Sequence, residues 1–152
     1  MTKEYSHYVV ATAIISRNNQ FLIVKRDKDE TAMAGFWAFP GGKLNLTDYF
    51  KKPKNTNFHW HHILDYLLMR ECKEEVGLEI SNIRYIRNLA FIRPDNIPTV
   101  VLSFMADYHA GEVRLNEELS KYAWVTLAEA RNYNLIDGLY EELLTANRIK
   151  NH

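Results

Sequence analysis

Ile63-Leu-Asp-Tyr-Leu-Leu-Met-Arg-Glu-Cys-Lys-Glu-Glu-Val-Gly-Leu78 is the most informative segment of this 152-residue chain. Its spacing predicts a helix from about Ile63 to Val76, with Gly77 placed to end it as a C-terminal cap. At about 100° per residue, Leu64, Leu67 and Leu68 share one face. Glu71, Glu74 and Glu75 continue that face one to two turns later. Carboxylates on a stripe that packs against a core repel one another and lose hydration. A hard divalent cation with oxygen ligands is the simple compensation. Arg70 stands four positions before Glu74 and can pair with it. The competing reading is a solvated acidic turn with an ordinary Arg–Glu pair. The phase of the stripe favours a site, and so does the glycine pair Gly41-Gly42 upstream, because a strand–Gly-Gly–helix order can bring phosphates and backbone to a metal.

Working back from this helix, Asp48 to His61 is polar and proline-containing and reads as a surface loop. Before it, Gly35-Phe-Trp-Ala-Phe39 is short and strand-like and runs into Pro40-Gly41-Gly42. Those glycines can take positive φ and let backbone approach a ligand closely. Tyr8 to Ser16 and Phe21 to Lys25 read as a β-hairpin, the first strand apolar enough to be buried on both faces. Lys28 to Ala34 reads as a polar connection. Beyond the helix, strands are expected at Ile83–Ile92, Thr99–Tyr108 and Tyr122–Val125. A short helix is expected near Leu127–Asn132, and an amphipathic one over about Leu135–Arg148. Strands mixed with helices, without strict βαβ alternation, predict an α/β sandwich around a mixed sheet.

Length fits one domain, residues 1–152, with a core large enough to need no disulfide. Apolar residues make up 47% and charged residues 25%, an ordinary globular profile. Lys+Arg and Asp+Glu are both 19, so no basic excess points to nucleic acid or an anionic membrane. The single cysteine, Cys72, suits a reducing compartment. No segment has the roughly 18 apolar residues of a membrane helix, and the first residues lack a signal-peptide layout. The expectation is a cytoplasmic protein.

Arg70-Glu-Cys-Lys-Glu-Glu-Val-Gly-Leu78 resembles the second half of the Nudix box, Arg-Glu-U-x-Glu-Glu-x-Gly-U, with Cys72 and Leu78 at the bulky apolar U positions. Phe39-Pro40-Gly41-Gly42-Lys43 resembles the start of the same box. The resemblance covers almost the whole chain and implies a Nudix-like α/β/α sandwich. The first half departs from the pattern. Counting forward from Gly42, the box's first Glu falls on Asp48; counting back from Arg70, it falls on His62. Between Asp48 and Arg70, 21 residues intervene instead of seven, about 14 more than the pattern asks. An insertion at about 49–62 is therefore expected, and with its aromatic and His residues it is placed to overhang the site.

The resemblance implies Mg²⁺- or Mn²⁺-dependent hydrolysis of a nucleoside diphosphate linked to another moiety. Gly35 to Lys43 is most similar to the MutT-like branch, which acts on nucleoside triphosphates. By resemblance Glu74 and Glu75 are metal ligands, Glu71 is a ligand or the base, Arg70 holds Glu71, and the Gly41 carbonyl adds an oxygen. Glu117 or Glu118, before the Trp124 strand, stands where some members place a further carboxylate; Glu118 is carried as a metal ligand. Arg26 and Lys43 are candidate phosphate contacts, Arg26 equally a surface ion pair. Trp37 is a candidate for stacking on a base or for the core. His59, His61 and His62 lack the partners of a zinc site, and Cys72 lacks the local His of a nucleophile. The expected partner is a small nucleotide, with no nucleic acid and no membrane, and a homodimer is left open. The alternative reading is a Nudix-fold module that senses a nucleotide without cleaving it. The split box favours that reading and the intact carboxylates oppose it.

Overall fold

The computed structural model describes residues 3–26 and 35–151. The connection expected at Lys28–Ala34 lies outside the described residues. A one-turn 3-10 helix at Lys3–Tyr5 precedes β1, Tyr8–Arg17, and β2, Gln20–Arg26. Next come β3, Trp37–Ala38, and β4, Gly41–Lys43, then a 3-10 turn at Leu46–Asp48. The helix α1 covers Ile63–Val76. Three strands follow: β5, Glu79–Ile92; β6, Pro98–Ala110; and β7, Leu119–Val125. The chain ends in α2, Leu127–Ala130, and α3, Leu139–Lys150.

The strands form one mixed sheet ordered β3-β2-β1-β6-β5, with β4 also beside β1 and β7 also beside β2. The β1–β6 pair is parallel, and the other strand pairs are antiparallel. Strand side chains alternate between faces, and here both faces are covered. Leu22, Val24, Phe104 and Ala106 pack under Leu67, Leu68, Cys72 and Val76 of α1. Phe21, Ile23 and Met105 pack under Ala130, Leu143 and Ala146 of α2 and α3. The expected α/β/α sandwich is therefore what forms, and burying these side chains contributes about 1.5–3 kcal/mol for each large one.

Local differences from the sequence reading have physical causes. Strand β5 starts at Glu79 instead of Ile83, and its register slips between Ser81 and Arg84 and between Tyr85 and Arg87. Such bulges break the alternation by which a strand is recognised. The last helix starts at Leu139 instead of Leu135. Gly138 at φ 89 cannot belong to a right-handed helix, and Leu135 bridges to Trp37 instead. The expected β1–β2 hairpin is correct only at its tip. Its register pairs are Ser16 with Phe21 and Arg17 with Gln20. Below them the strands part, and β4 takes the edge of β1 at Val10–Thr12.

Residues 49–62 contain no helix or strand. Their bonds run mostly within the loop. Trp60 Nε1–H donates to the Lys52 carbonyl at 2.7 Å, the Trp60 ring meets Tyr49 edge-on, and the His61 N–H donates to Asn55 Oδ1 at 2.9 Å. His59 Nδ1 meets Thr56 Oγ1. None of these residues lines the cavity described below, so the expected overhang is not found.

Candidate active site

The parting of β1 and β2 creates the site. Glu75 of α1 is 3% exposed and links β4 to the end of β2. The Gly41 N–H of β4 donates to its Oε1 at 2.9 Å, and Arg26 Nη2 at the end of β2 donates to its Oε2 at 3.3 Å. Burial pushes the Glu75 carboxyl up from its ordinary 4.5 to about 7; Arg26 and the Gly41 amide pull it down, and Glu71 and Glu118 add to the rise. The Glu71 pKa is also raised, first by burial, against the downward pull of Arg70.

The two glycines are closely surrounded, though not for the expected reason. Neither has positive φ; both lie in β4. A Cβ on Gly41 would fall on the Ala11 carbonyl, and one on Gly42 would fall on the Glu71 carboxylate. Close approach of β4 to the β1 backbone, not a turn, excludes a side chain at Gly41, whereas one at Gly42 would have to displace the Glu71 carboxylate.

Arg70 gathers the remaining acids. Its Nε–H donates to Asp48 Oδ1 and its Nη2 to Asp48 Oδ2 at 3.2 Å. Its Nη1 donates to Glu71 Oε1 at 2.8 Å and to Glu74 Oε2 at 3.1 Å. Asp48 is 1% exposed and also accepts the Asn45 N–H at 2.8 Å, in a capping box with Asn45. Of the two candidates for the first acidic position, Asp48 is the one that contacts Arg70. The 22-residue separation is closed by a bidentate pair, the geometry that suits guanidinium and carboxylate. His62 is exposed, caps α1 with no side-chain hydrogen bond and sits at φ 61.

The acids are unequal. Glu74 is 58% exposed and Glu71 15%, so the apolar stripe of α1 continues through Glu75 and, less deeply, Glu71, while Glu74 sits at its rim. Gly77 ends α1 at φ 74. The loop between β6 and β7 is tied to the helix end: the Asn116 N–H donates to the Glu75 carbonyl at 3.0 Å, and Asn116 Oδ1 accepts the Glu118 N–H at 3.1 Å. This tether has no signal in the sequence pattern. It carries Glu118, and not Glu117, into the wall of a cavity of about 740 Å³.

Arg26, Gly41, Lys43, Glu71, Glu74, Glu75 and Glu118 line that cavity together. Lys43 Nζ lies 4.7 Å over the Tyr8 ring. Trp37 is not among the residues that line the cavity, and its contacts are those of the core alternative. It sits edge-on against Tyr133, with ring centroids 4.8 Å apart, and packs into the core under α3. Cys72 is buried in the core under α1, and burial drives its thiol far above the ordinary range, which suits packing and not nucleophilic attack. Among the described residues, no three His, Cys, Asp or Glu side chains already converge as a metal cluster: Glu71 and Glu74 turn to Arg70, and Glu75 to Arg26. The donor set still fits a hard cation. Glu71, Glu74, Glu75 and Glu118 are among the carboxylates that share this cavity, and Glu71 and Glu75 have pKa values raised in part by the others.

The NUDIX domain model matches residues 68–144. The chain is 30% identical over 104 residues to a Proteus vulgaris protein named 8-oxo-dGTP diphosphatase, covering 68% of this chain and 77% of that one. It is 39% identical over 67 residues to the NAD-capped RNA hydrolase NudC of Photobacterium profundum, covering 43% of this chain. That match spans 24% of the relative's length. Among solved structures, the MutT protein of Methanosarcina mazei Go1 superposes with a TM-score of 0.70 over 98% of this chain and 99% of that one, at 22% identity, a likeness of fold. With the Arg70–Leu78 motif, its Arg70–Asp48 anchor and these matches together, the chain belongs to the Nudix family.

Proposed function

We propose that the protein is a nucleotide pyrophosphohydrolase that uses Mg²⁺ or Mn²⁺ to cleave a nucleoside diphosphate linked to another moiety, a nucleoside triphosphate in the first instance. The observation that carries this reading is the joint opening of Glu71, Glu74, Glu75 and Glu118 into one cavity with Arg26 and Lys43. Acids at one wall and cations beside them suit a metal–polyphosphate substrate, whose charge both sets divide. The relatives named as diphosphatase and RNA-cap hydrolase support cleavage of a phosphoric anhydride. The balance of 19 basic and 19 acidic residues favours a free nucleotide over a nucleic-acid chain. No helix of the described residues is long and apolar enough to cross a membrane.

In this reading Glu74, Glu75 and Glu118 hold the cation with the Gly41 carbonyl. Once bound, the cation neutralises phosphate charge and acidifies a water. Glu71, fixed by Arg70, shares the ion or takes the proton of the attacking water, a role its raised pKa suits. Attack at phosphorus breaks the anhydride P–O bond, and Arg26 and Lys43 offset the charge that gathers on the departing phosphate. Asp48 acts only through Arg70 and is a positioning residue. The test is a screen of nucleoside di- and triphosphates, nucleotide sugars and dinucleotides with Mg²⁺, reading released phosphate and pyrophosphate. Cleavage of a nucleotide that stops in EDTA supports the proposal. Tight nucleotide binding with no turnover under any metal would instead support a sensing module.

A further inference from the structure

The segment that interrupts the family motif is built as a surface of its own. Residues 49–62 line no part of the cavity, yet they are held in a defined shape. The Tyr49 and Trp60 rings, near the two ends of the loop, meet with centroids 5.3 Å apart, and Trp60 Nε1–H closes on the Lys52 carbonyl at 2.7 Å. At the tip the Asn55 N–H donates to the His59 carbonyl at 2.9 Å. Thr56 Oγ1 there accepts the N–H groups of Phe58 and His59 at 3.3 and 3.0 Å. Surface loops of this size, closed by their own side chains, are frequently functional.

The ordered loop displays cations and apolar groups together. Lys51, Lys52 and Lys54 stand 5.6, 4.4 and 5.0 Å over the rings of Phe50, Tyr66 and Trp60. Among the described residues, none of these lysines is paired with a carboxylate. From Tyr49 to Met69 the one acid is Asp65. Phe58 at the tip is 78% exposed, and Phe50 is exposed as well. The same character continues into the flanking elements. The Phe50 N–H donates to the carbonyl of the exposed Leu46 at 3.0 Å. On α1, exposed Met69 and Lys73 follow Tyr66 on one face. Exposed apolar side chains concentrated in one region mark an interaction surface.

We propose that the 49–62 loop is a docking surface for an acidic segment of a partner protein, in which Asp or Glu side chains alternate with bulky apolar ones. The inference is independent of what the cavity cleaves. The lysines supply the attraction, and Phe50 and Phe58 supply the apolar contact. Two other anionic partners fit less well. The chain has 19 basic and 19 acidic residues. Removing the three lysines of the loop leaves 16 basic against 19 acidic for the rest of the chain. A polynucleotide or an anionic bilayer is extended enough to meet that acidic remainder too. Three lysines also neutralise few phosphates, where nucleic-acid binders contact about 6–10. A short peptide covers the loop alone, and beyond a Debye length of about 8 Å the other charges are largely screened.

The test is fluorescence anisotropy with a labelled peptide of alternating Glu and Leu or Phe, beside an all-Glu peptide, an oligo-dT strand and phosphatidylserine vesicles. Wild type is compared with K51E/K54E and F58A. The described contacts of Lys51, Lys54 and Phe58 stay within the loop, so both variants should keep the wild-type melting temperature and the wild-type turnover of any nucleotide that is cleaved. Wild type should bind the mixed peptide at least about tenfold tighter than the all-Glu peptide, and more weakly as salt rises. K51E/K54E should weaken that binding at least about tenfold, and F58A several-fold. Absence of saturable peptide binding, binding that ignores salt, or equal binding by wild type and the folded variants overturns the inference. Tighter binding of oligo-dT or of vesicles than of the mixed peptide also overturns it, and gives the surface to a polynucleotide or a membrane. The salt dependence of wild type decides even where a variant does not fold.

Discussion

The two ends of the cavity handle buried charge in opposite ways. At the α1 end each of the helix acids already faces a cation: Glu71 and Glu74 turn to Arg70, and Glu75 turns to Arg26. At the α3 end, Glu142 spends one oxygen on Arg87 and keeps the other without a partner. The first arrangement is a set of carboxylates neutralised in place by two arginines. The second is a fixed acceptor. A site that must exchange partners during turnover benefits from counter-charges that hold its acids without locking them. A contact that joins α3 to β5, as that of Arg87 and Glu142 does, benefits from groups that do not move.

The largest effect should come from the α1 end. E75Q keeps the shape and the Gly41 hydrogen bond but removes the buried charge. We expect turnover to fall by about 10³-fold or more, together with loss of the Mg²⁺-induced rise in melting temperature that mass action gives wild type. Steady-state rates and melts, each in millimolar Mg²⁺ and in EDTA, check both. A wild-type-sized Mg²⁺ shift in E75Q would show that the α1 carboxylates do not hold the ion, and the contrast between the two ends would collapse.

Asp48 should come next. It touches nothing in the cavity, yet it takes two of the donors of Arg70. D48N leaves Arg70 without its buried anionic partner, so Glu71 loses its fixed orientation. An activity loss of about 10–100-fold is expected, with a stability cost of about 1–3 kcal/mol. D48E should recover much of both, since a carboxylate is restored at the position the family pattern gives to Glu. Equal losses in D48N and D48E would mean that Asp48 packs the 3-10 turn and does not position Arg70.

A smaller effect concerns stability against pH without metal. The Glu75 pKa is raised on folding, from 4.5 to about 7, so the folded protein binds more protons than the unfolded chain between those values. Stability is then fully present below pH 4.5 and is lost as pH rises through 7, by something on the order of 3 kcal/mol. Glu71 shifts in the same direction. E75Q should flatten this slope and be as stable as wild type, or more so, at pH 8. Mg²⁺ affinity should strengthen over the same interval, because binding requires the deprotonated acids. Denaturant melts from pH 4 to 9 in EDTA measure the slope; a wild-type stability that climbs through this range would contradict the buried, strained carboxylate.

Helix-phase arithmetic makes the α1 end legible in the sequence. Glu71 and Glu75 sit where the apolar stripe should continue, and that interruption reads as a site. The same arithmetic applies to α3, where Glu142 falls in phase with Leu139, Leu143 and Ala146. Contacts made across the sheet are not legible. The capture of Arg70 by Asp48 depends on a loop folding back on itself, and the arrival of Glu118 depends on one asparagine tied to the end of α1. The parting of β1 from β2 has no local signature: the middle of each strand is largely apolar, and only the pairing of β4 with Val10–Thr12 reveals where they separate.

The smallest effect should come from the 49–62 loop, and it bears on whether the two halves of the motif communicate through that segment or around it. Asp48 is held from one side by Asn45 and from the other by Arg70. The bonds of the loop stay mostly internal, apart from a contact such as Lys52 Nζ over the Tyr66 ring of α1. Replacing residues 50–61 with a short Gly/Ser linker therefore removes bulk while leaving the Asp48–Arg70 pair in place. Halving a loop changes its closure entropy by only about 0.6 kcal/mol, and the Trp60–Tyr49 contact stabilises mainly the loop itself. Melting temperature, Mg²⁺ affinity and the ratio of dGTP to dATP cleavage should each stay near wild type, with rates within about threefold. A large fall in Mg²⁺ affinity would mean that the loop supplies a ligand. A large change in base preference would mean that it closes over the cavity during turnover.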